Sequence, residues 1–354
     1  MKAAIIGLPQ SGKTTLFTAV TGQKRPAGEA PQEHQAIVPV PEARLDVLAD
    51  LYRPKKVTYA TIEFLDVPGF TIDDAHGQQE LRKYLSTIRN ADMLVLVVRD
   101  FKNPSVPAHR NRVDRAADLS EMREELIFAD LEIVANRVEK LEKALTKPTK
   151  THDQDKKELA LLQRCREALE KSEPLSSVIA TEDDARQVGS FAFLTEKPAV
   201  AVYNVDDDRA ADQAADTPEH MHSALSICAD IEAQLQDLEP DERAAFMEDL
   251  GLTSLGRDRL IQNCFDAMGL ISMFTAGPTE VRAWPMPAGT SAVDAAGKIH
   301  TDLARGFIRA ETVAYDDLTA AGDFKNAKAA GKVRQEGKTY IVKDGDVITI
   351  KFNV

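Results

Sequence analysis

The chain has 354 residues, 43 % apolar and 29 % charged, enough for roughly two or three domains with well-solvated surfaces. Its 44 basic and 57 acidic side chains leave a net charge of −13, which excludes a general nucleic-acid binder, because attraction to phosphate needs a basic footprint. Three scattered cysteines without a CxxC pair argue against a disulfide framework and a structural zinc site, and no apolar run reaches the length of a membrane span. The first residues read as a strand, without a charged-then-apolar export signal, so a cytoplasmic location is expected.

Residues 3–6 predict a short buried strand. The loop Gly7-Leu8-Pro9-Gln10-Ser11-Gly12-Lys13-Thr14 follows, and residues 14–20 predict a helix. Residues 22–35 predict a mobile loop, 36–40 a strand, 43–51 a short helix, 58–66 a strand and 81–90 a helix. The continuous apolar run 93–98 is typical of a strand buried on both faces of a parallel sheet. After Arg99 the character changes. Leu119, Met122, Leu126, Leu131, Val134, Val138, Leu141 and Leu145 recur at helical spacing, and Lys147-Pro148 ends the run. A second helix is predicted over 153–171, with Leu159, Leu162, Cys165 and Leu169 on one face. Charge dominates outside this narrow stripe, which favours a protruding antiparallel arm over ordinary packing helices.

The sheet resumes with strands predicted at 198–203 and 223–229, the latter followed by the stretch 230–238, and a helix at about 255–268 closes this part. Thr275-Ala276-Gly277-Pro278 is a breaker cluster and is read as a domain boundary. Beyond it, a strand (281–284), a helix (292–305) and two strands (339–342 and 346–352) predict a small mixed module. Lys325, Lys328, Lys332, Arg334 and Lys338 crowd one stretch of it, either as a solvated face or as a local basic surface.

GxxxxGK(S/T) between a strand and a helix carries a specific chemistry. Gly7 and Gly12 let the backbone wrap closely, so that successive N–H groups and the positive helix end face a polyphosphate. Pro9, Gln10, Ser11, Gly12, Lys13, Thr14 and Thr15 are therefore nucleotide-binding candidates. Lys13 is placed to reach the terminal phosphates and Thr14 to ligate Mg²⁺. In Asp66-Val67-Pro68-Gly69, Asp66 is a second metal candidate and Gly69 an N–H donor to the γ-phosphate. Many GTPases follow that glycine with a glutamine that orients the attacking water; Phe70 stands here and cannot. His76 is the nearest residue able to hold a water or accept its proton, and joins Lys13 as a catalytic candidate. Asn204-Val205-Asp206-Asp207 follows a buried strand where a base-reading loop belongs. Asp207 stands at the aspartate of NKxD, but Val205 replaces the lysine, and the Asn204 amide suits either purine.

Together these residues resemble one family, the YchF-type proteins of the Obg-related GTPase group. The resemblance spans nearly the whole chain. It includes GLPQSGKTTLF, DVPGF, AD…VVRDF, ELIFADLEIVANRVEKLEKAL, FTAGPTEVRAW and YIVKDGDVITIKFNV. It implies an α/β Ras-like P-loop NTPase domain (1–117 and 173–275), an antiparallel coiled-coil insertion (118–172) and a C-terminal β-grasp-like TGS domain (276–354). It further implies hydrolysis of ATP or GTP with Mg²⁺, often with ATP preferred, and a ribosome or rRNA partner reached through the coiled coil and TGS domain. A monomer is expected. Phe70 matches the family's hydrophobic substitution of the catalytic glutamine, and His76 matches its switch histidine. The family's base-reading motif is NxxE, so Asn204 carries over and Asp207 occupies the glutamate position. Ser226, Ile227 and Cys228 fall at the last nucleotide-contacting segment. Three stretches depart from the pattern. Gln10-Ser11 replaces Asn-Val, 22–38 contains no first-switch threonine, and 77–81 carries fewer glycines. Two activities follow, a slow nucleotide-gated hydrolase or a non-hydrolysing nucleotide-binding module. The motif set favours the hydrolase. The TGS module alone also suggests a synthetase-like or stringent-response role, but no accompanying motif supports it.

Overall fold

A computed structural model describes residues 1–24, 33–68, 75–146, 151–212 and 214–353, with only the backbone for 75–82. In chain order the elements begin with β1 (Lys2–Ile6), α1 (Lys13–Thr21), β2 (His34–Pro39), α2 (Ala43–Tyr52), β3 (Lys56–Thr58), β4 (Thr61–Asp66), α3 (Ala75–Asn90) and β5 (Met93–Asp100). They continue with α4 (Arg115–Ala144), α5 (His152–Glu170), α6 (Glu182–Val188), β6 (Ala199–Val205), β7 (Ser223–Ile227), α7 (Ala229–Leu235), α8 (Pro240–Asp249) and α9 (Gly256–Ala267). The last part holds β8 (Leu270–Ala276), β9 (Glu280–Pro287), α10 (Ala292–Ile299), α11 (Thr301–Arg305), β10 (Phe307–Ala314), α12 (Tyr315–Ala321), α13 (Phe324–Ala329), β11 (Arg334–Glu336) and β12 (Asp346–Phe352). Two compact units emerge: Met1–Ala36 with Glu63–Arg257, and Ile37–Ile62 with Asp258–Val354.

The first unit is an α/β fold around a sheet of order β2-β4-β1-β5-β6-β7. The pairings β1–β4, β1–β5, β5–β6 and β6–β7 are all parallel. Parallel strands with helices on both faces are buried throughout, and the apolar runs of β5 and β6 are accordingly inaccessible almost end to end. β1 is central, and the chain places β4 on one side of it and β5 on the other. The carboxyl ends of these strands therefore flank a crevice of the kind in which open α/β sheets bind ligands.

Helix α4 divides its burial between two cores. Leu119, Met122, Leu126 and Ala129 pack into the core of the sheet. Val134, Val138 and Leu141 instead meet Leu161, Leu162, Cys165, Ala168 and Leu169 of α5, and Leu175, Val188 and Phe193 complete that second core. The expected insertion bounds, 118–172, cut across both clusters. Arg137 fixes the register of the helix pair by donating to both carboxylate oxygens of Glu158, at 2.7 and 2.8 Å. At the junction between the cores, Asp130 is 0 % exposed. It accepts from Arg89 (2.7 Å), from the N–H groups of Leu194 (3.1 Å) and Thr195 (2.9 Å), and from the Thr195 hydroxyl (2.9 Å). A buried carboxylate with this many donors holds its neighbours in one arrangement. The expected helix stop at Lys147-Pro148 lies outside the described residues, as do residues 25–32 of the loop expected at 22–35.

The second unit carries a mixed sheet of order β11-β10-β12-β8-β9-β3. β12 runs parallel to β8 and antiparallel to β10, while β8 and β9 form an antiparallel hairpin. Side chains alternate between its faces. Phe274 and Val347 enter one core with Leu45 and Leu48 of α2, and Met273 and Ile348 enter the other with Ala292 and Ala296 of α10. Several sequence expectations change here. The breaker cluster at 275–278 is the turn of the β8–β9 hairpin, closed by Gly277 N–H to the Glu280 carbonyl at 3.1 Å, because the same residues suit a tight turn and a linker equally. The helix expected at 292–305 breaks at His300, whose backbone is extended and whose Nδ1 caps α11 by accepting from the Asp302 N–H at 3.2 Å. Residues 339–342 form a turn with one bridge, Ser291 to Ile341, in place of a strand. Strand β10 has no counterpart among the expected elements. The basic stretch is largely paired: Lys328 with Glu311 (3.2 Å), Lys332 with Asp317 (2.9 Å) and Arg334 with Asp346 (3.0 Å), which favours the solvated-face reading.

Candidate nucleotide-binding site

At the carboxyl end of β1 the chain leaves the sheet through residues 7–12. Gln10 takes φ +58° and Gly12 φ +91°. The Ser11 N–H donates to the Leu8 carbonyl at 3.3 Å, and the Leu16 N–H closes the first turn of α1 on Gly12 at 2.8 Å. The first N–H groups of any helix lack intrahelical acceptors, so those of α1 form an anion-seeking end. Two glycines are required sterically. A Cβ at Gly7 would lie 2.5 Å from the Val97 carbonyl, and one at Gly12 would lie 2.0 Å from Asn204 Nδ2.

This end opens into a cleft of about 980 Å³ within the first unit. Of the residues anticipated from sequence, Pro9, Gln10, Gly12, Lys13, Thr14, Thr15, Asn204, Val205, Asp207 and Cys228 line it. Lys13 is nearly buried, and its ammonium donates to the Leu8 carbonyl at 2.7 Å. Asp66 is 0 % exposed at the end of β4, in register with Ile5. Ser11, Ser226 and Ile227 are also buried and do not line the cleft. Gly69 and Phe70 lie outside the described residues. His76 falls in the first turn of α3, and its side chain is outside the described residues too.

Asn204 lines the cleft and also ties its parts together. Its amide donates to the Ser11 carbonyl at 3.1 Å and accepts from the Ala229 N–H at 3.1 Å, clipping the phosphate loop to the start of α7. The side chain therefore shapes the site through the backbone. The Asp207 carboxylate accepts from Cys228 Sγ at 3.2 Å. Burial is the main cause that pushes the Cys228 thiol up to about 12, so it stays protonated and able to donate.

Sequence reasoning missed the opposite wall. Phe101, Lys102, Asn103 and Val106, on the segment after β5, line the cleft. The Lys102 N–H donates to Asp206 Oδ1 at 2.9 Å, and Arg209 pairs with Asp100 at 3.0 Å, joining this wall to the loop after β6. The signal available was positional: loops that follow parallel strands beside the central one face the same crevice. No helix among the described residues is long and apolar enough to cross a membrane.

Residues 2–137 match the family MMR_HSR1, described as a 50S ribosome-binding GTPase, and residues 270–353 match YchF-GTPase_C, described as a protein of unknown function (DUF933). The chain is 39 % identical to the ribosome-binding ATPase YchF of Bacillus subtilis, covering 100 % of both chains. It is 36 % identical to the Escherichia coli O157:H7 protein of the same name, covering 100 % of this chain and 99 % of that one. The solved Schizosaccharomyces pombe YchF GTPase shares the fold, with a TM-score of 0.83 at 27 % identity over 99 % of this chain and 97 % of that one. With full-length relatives at this identity and a P-loop α/β unit that matches a solved member, the chain belongs to the YchF family.

Proposed function

We propose that this protein is a slow Mg²⁺-dependent purine-nucleotide hydrolase, with ATP favoured over GTP, whose nucleotide state governs binding to the ribosome. One observation carries the hydrolase reading: Lys13, Thr14 and the start of α1 share a single cleft with the Asn204–Asp208 loop. A polyphosphate on the helix end and a base against the far loop fit that arrangement.

The donor set suits Mg²⁺. Thr14 offers a hydroxyl and Asp66 a carboxylate, both hard oxygen ligands. No group of three or more His, Cys, Asp or Glu side chains among the described residues could hold a metal unaided. That fits an ion completed by phosphate oxygens and water. When bound, the ion supplies charge neutralisation at the terminal phosphates. The protein's own part is positional. The main-chain N–H groups of residues 12–15 hold the phosphates, and Lys13 exchanges the Leu8 carbonyl for a phosphate oxygen. His76, in place of a glutamine at position 70, holds the attacking water and takes its proton. The preference for ATP rests on the absence of a lysine at Val205, on the Asp207 carboxylate already accepting from Cys228, and on the ATPase names of the relatives.

Multiple turnovers with Mg·ATP are expected, lost in Lys13→Ala. Unchanged turnover in that variant refutes the reading. Titration settles base choice, and tight GTP binding with no detectable ATP binding reverses the preference. Ribosome association rests on the names of the relatives and on the family description covering 2–137. Co-sedimentation of the protein with 70S ribosomes that does not change between ATP and ADP contradicts a nucleotide-governed partner. We assign the partner surface to the helix pair α4–α5 and to the C-terminal TGS-like unit, which carry none of the site residues.

A further inference from the structure

We propose that Arg99 is a positioning residue for the nucleoside half of the cleft: from beneath the site, it fastens the wall that follows β5 to the phosphate loop and sets the Phe101 ring. The inference rests on the nucleotide-binding reading above and adds a residue that touches no ligand atom.

The placement is unusual for a strand interior. Arg99 ends the run Met93–Val98 and is 4 % exposed, next to Asn204 in the parallel register. Its neighbours Val97 and Val98 show what ordinary packing demands here. A buried guanidinium is costly unless its donors are used. Among the described residues, all four of its hydrogen bonds go to main-chain carbonyls: Phe101 (3.2 Å from Nε), Val106 (2.9 Å from Nη2), Pro107 (3.2 Å from Nη1) and, at the limit, Gln10 (3.5 Å from Nη1). Three of these acceptors belong to the wall and one to the phosphate loop. The guanidinium also stacks over the Phe101 ring at 4.2 Å from its centroid. A planar guanidinium spreads five donors over three nitrogens and stacks on a ring, whereas a lysine ammonium has three donors on one atom and no planar face.

The consequence is a preformed wall. Residues 101–107 contain no helix or strand of their own, so their carbonyls find few partners unless Arg99 supplies them. Phe101 and Val106 line the cleft on this segment, and Gln10 lines it from the phosphate loop. Fixing the two relative to each other removes an ordering cost that the nucleotide would otherwise meet. The fork and its stack act on shape, and the chemical step proceeds elsewhere.

The test uses the full-length chain with Arg99→Lys, which keeps the charge, and Arg99→Met, which keeps the stem. Both are measured for Kd by ATP titration and for steady-state KM and kcat. The expected result is a rise of about tenfold in Kd and KM for either variant, with kcat within about twofold of wild type. Phe101→Ala should weaken ATP binding in the wild type and add little in the Arg99→Met background, since the two act as one unit. Wild-type affinity in both variants overturns the proposal. So does full additivity with Phe101→Ala, or a kcat loss at constant KM. If neither variant folds, Arg99 is a structural residue only, and the proposal is again overturned. Failure of the wild type to bind any nucleoside triphosphate instead removes the parent reading, a different result.

Discussion

The two halves of the cleft are built from different materials. The half proposed for the phosphates consists of main chain, turned by Gln10 and Gly12 into the amino end of α1. The half proposed for the base consists of side-chain ties: Arg99 to the wall, Asn204 to the phosphate loop and Cys228 to Asp207. A main-chain cradle needs glycines at set intervals and is nearly the same in any protein that builds it. A side-chain scaffold can be assembled in many ways, so it leaves no fixed spacing. The phosphate half should therefore respond to substitution by losing chemistry or geometry outright, and the base half by graded losses of affinity.

The largest effect expected is from Lys13→Ala. With the role proposed for its ammonium at the terminal phosphates, its loss should lower kcat/KM by about a hundredfold or more. Single-turnover assays with Mg·ATP measure it, and an effect under tenfold would place the charge elsewhere. Gly12→Ala comes next. Its φ of +91° is unfavourable for any L side chain, and the new Cβ would meet Asn204 Nδ2 at 2.0 Å. ATP affinity should fall by roughly fiftyfold, taking about 2–3 kcal/mol for the two penalties together. If the clash is a principal cause, adding Asn204→Ala to Gly12→Ala should recover part of the loss; no recovery assigns the whole effect to backbone conformation.

Asn204→Ala alone tests the base half. It leaves the Ser11 carbonyl and the Ala229 N–H without their partner, both near the floor of the cleft. About 1–3 kcal/mol of stability per orphaned group is the usual scale, so the first unit should lose roughly 2–6 kcal/mol in urea unfolding. ATP affinity should fall by about tenfold, less than for Gly12→Ala. ATP and GTP should weaken by the same factor, because the amide acts through the phosphate loop. A loss confined to one purine would show the amide reading the base directly, as expected from sequence.

What could be read in advance follows the same division. The strand–loop–helix order, the buried β5 and β6 runs and the two long helices are all signalled by local periodicity, and each lies within a few residues of its expected place. The union of 37–62 with the C-terminal sheet left no such signal, because Leu45 and Leu48 look like any short amphipathic helix until their partners Phe274 and Val313 are known. Strand β10 was hidden for a related reason. Ile308 and Arg309 near its start are exposed while Ala310, Glu311, Thr312 and Val313 are buried in succession on both faces, so no alternation of apolar and polar residues marks it; Lys328 and Lys351 neutralise the buried Glu311 carboxylate. At the site, position after a buried strand marks Val205 and Asp207, but Phe101 and Arg99 belong to a strand and loop whose motif, VVRDF, carries no role that its spacing reveals. Long-range pairing and side-chain ties are the content that one sequence does not display.

The smallest effect concerns Gln10, where the two materials meet. The residue belongs to the main-chain half, yet its left-handed φ of +58° is one that only glycine and, to a lesser degree, asparagine adopt cheaply. Gln10→Asn should relieve part of this strain and raise stability by about 0.5 kcal/mol. Gln10→Gly relieves more strain but also loosens the unfolded chain, so it should gain no more than asparagine does. Both side chains are short enough to leave the cleft mouth open, so nucleotide affinity should stay within about twofold. Thermal melts without nucleotide measure the change as a rise of about 1–2 °C for asparagine. A fall in the midpoint for both variants means that the glutamine side chain makes a contact worth more than its backbone strain. The loop would then depend on a side-chain tie after all, and the contrast between the halves would narrow at this residue.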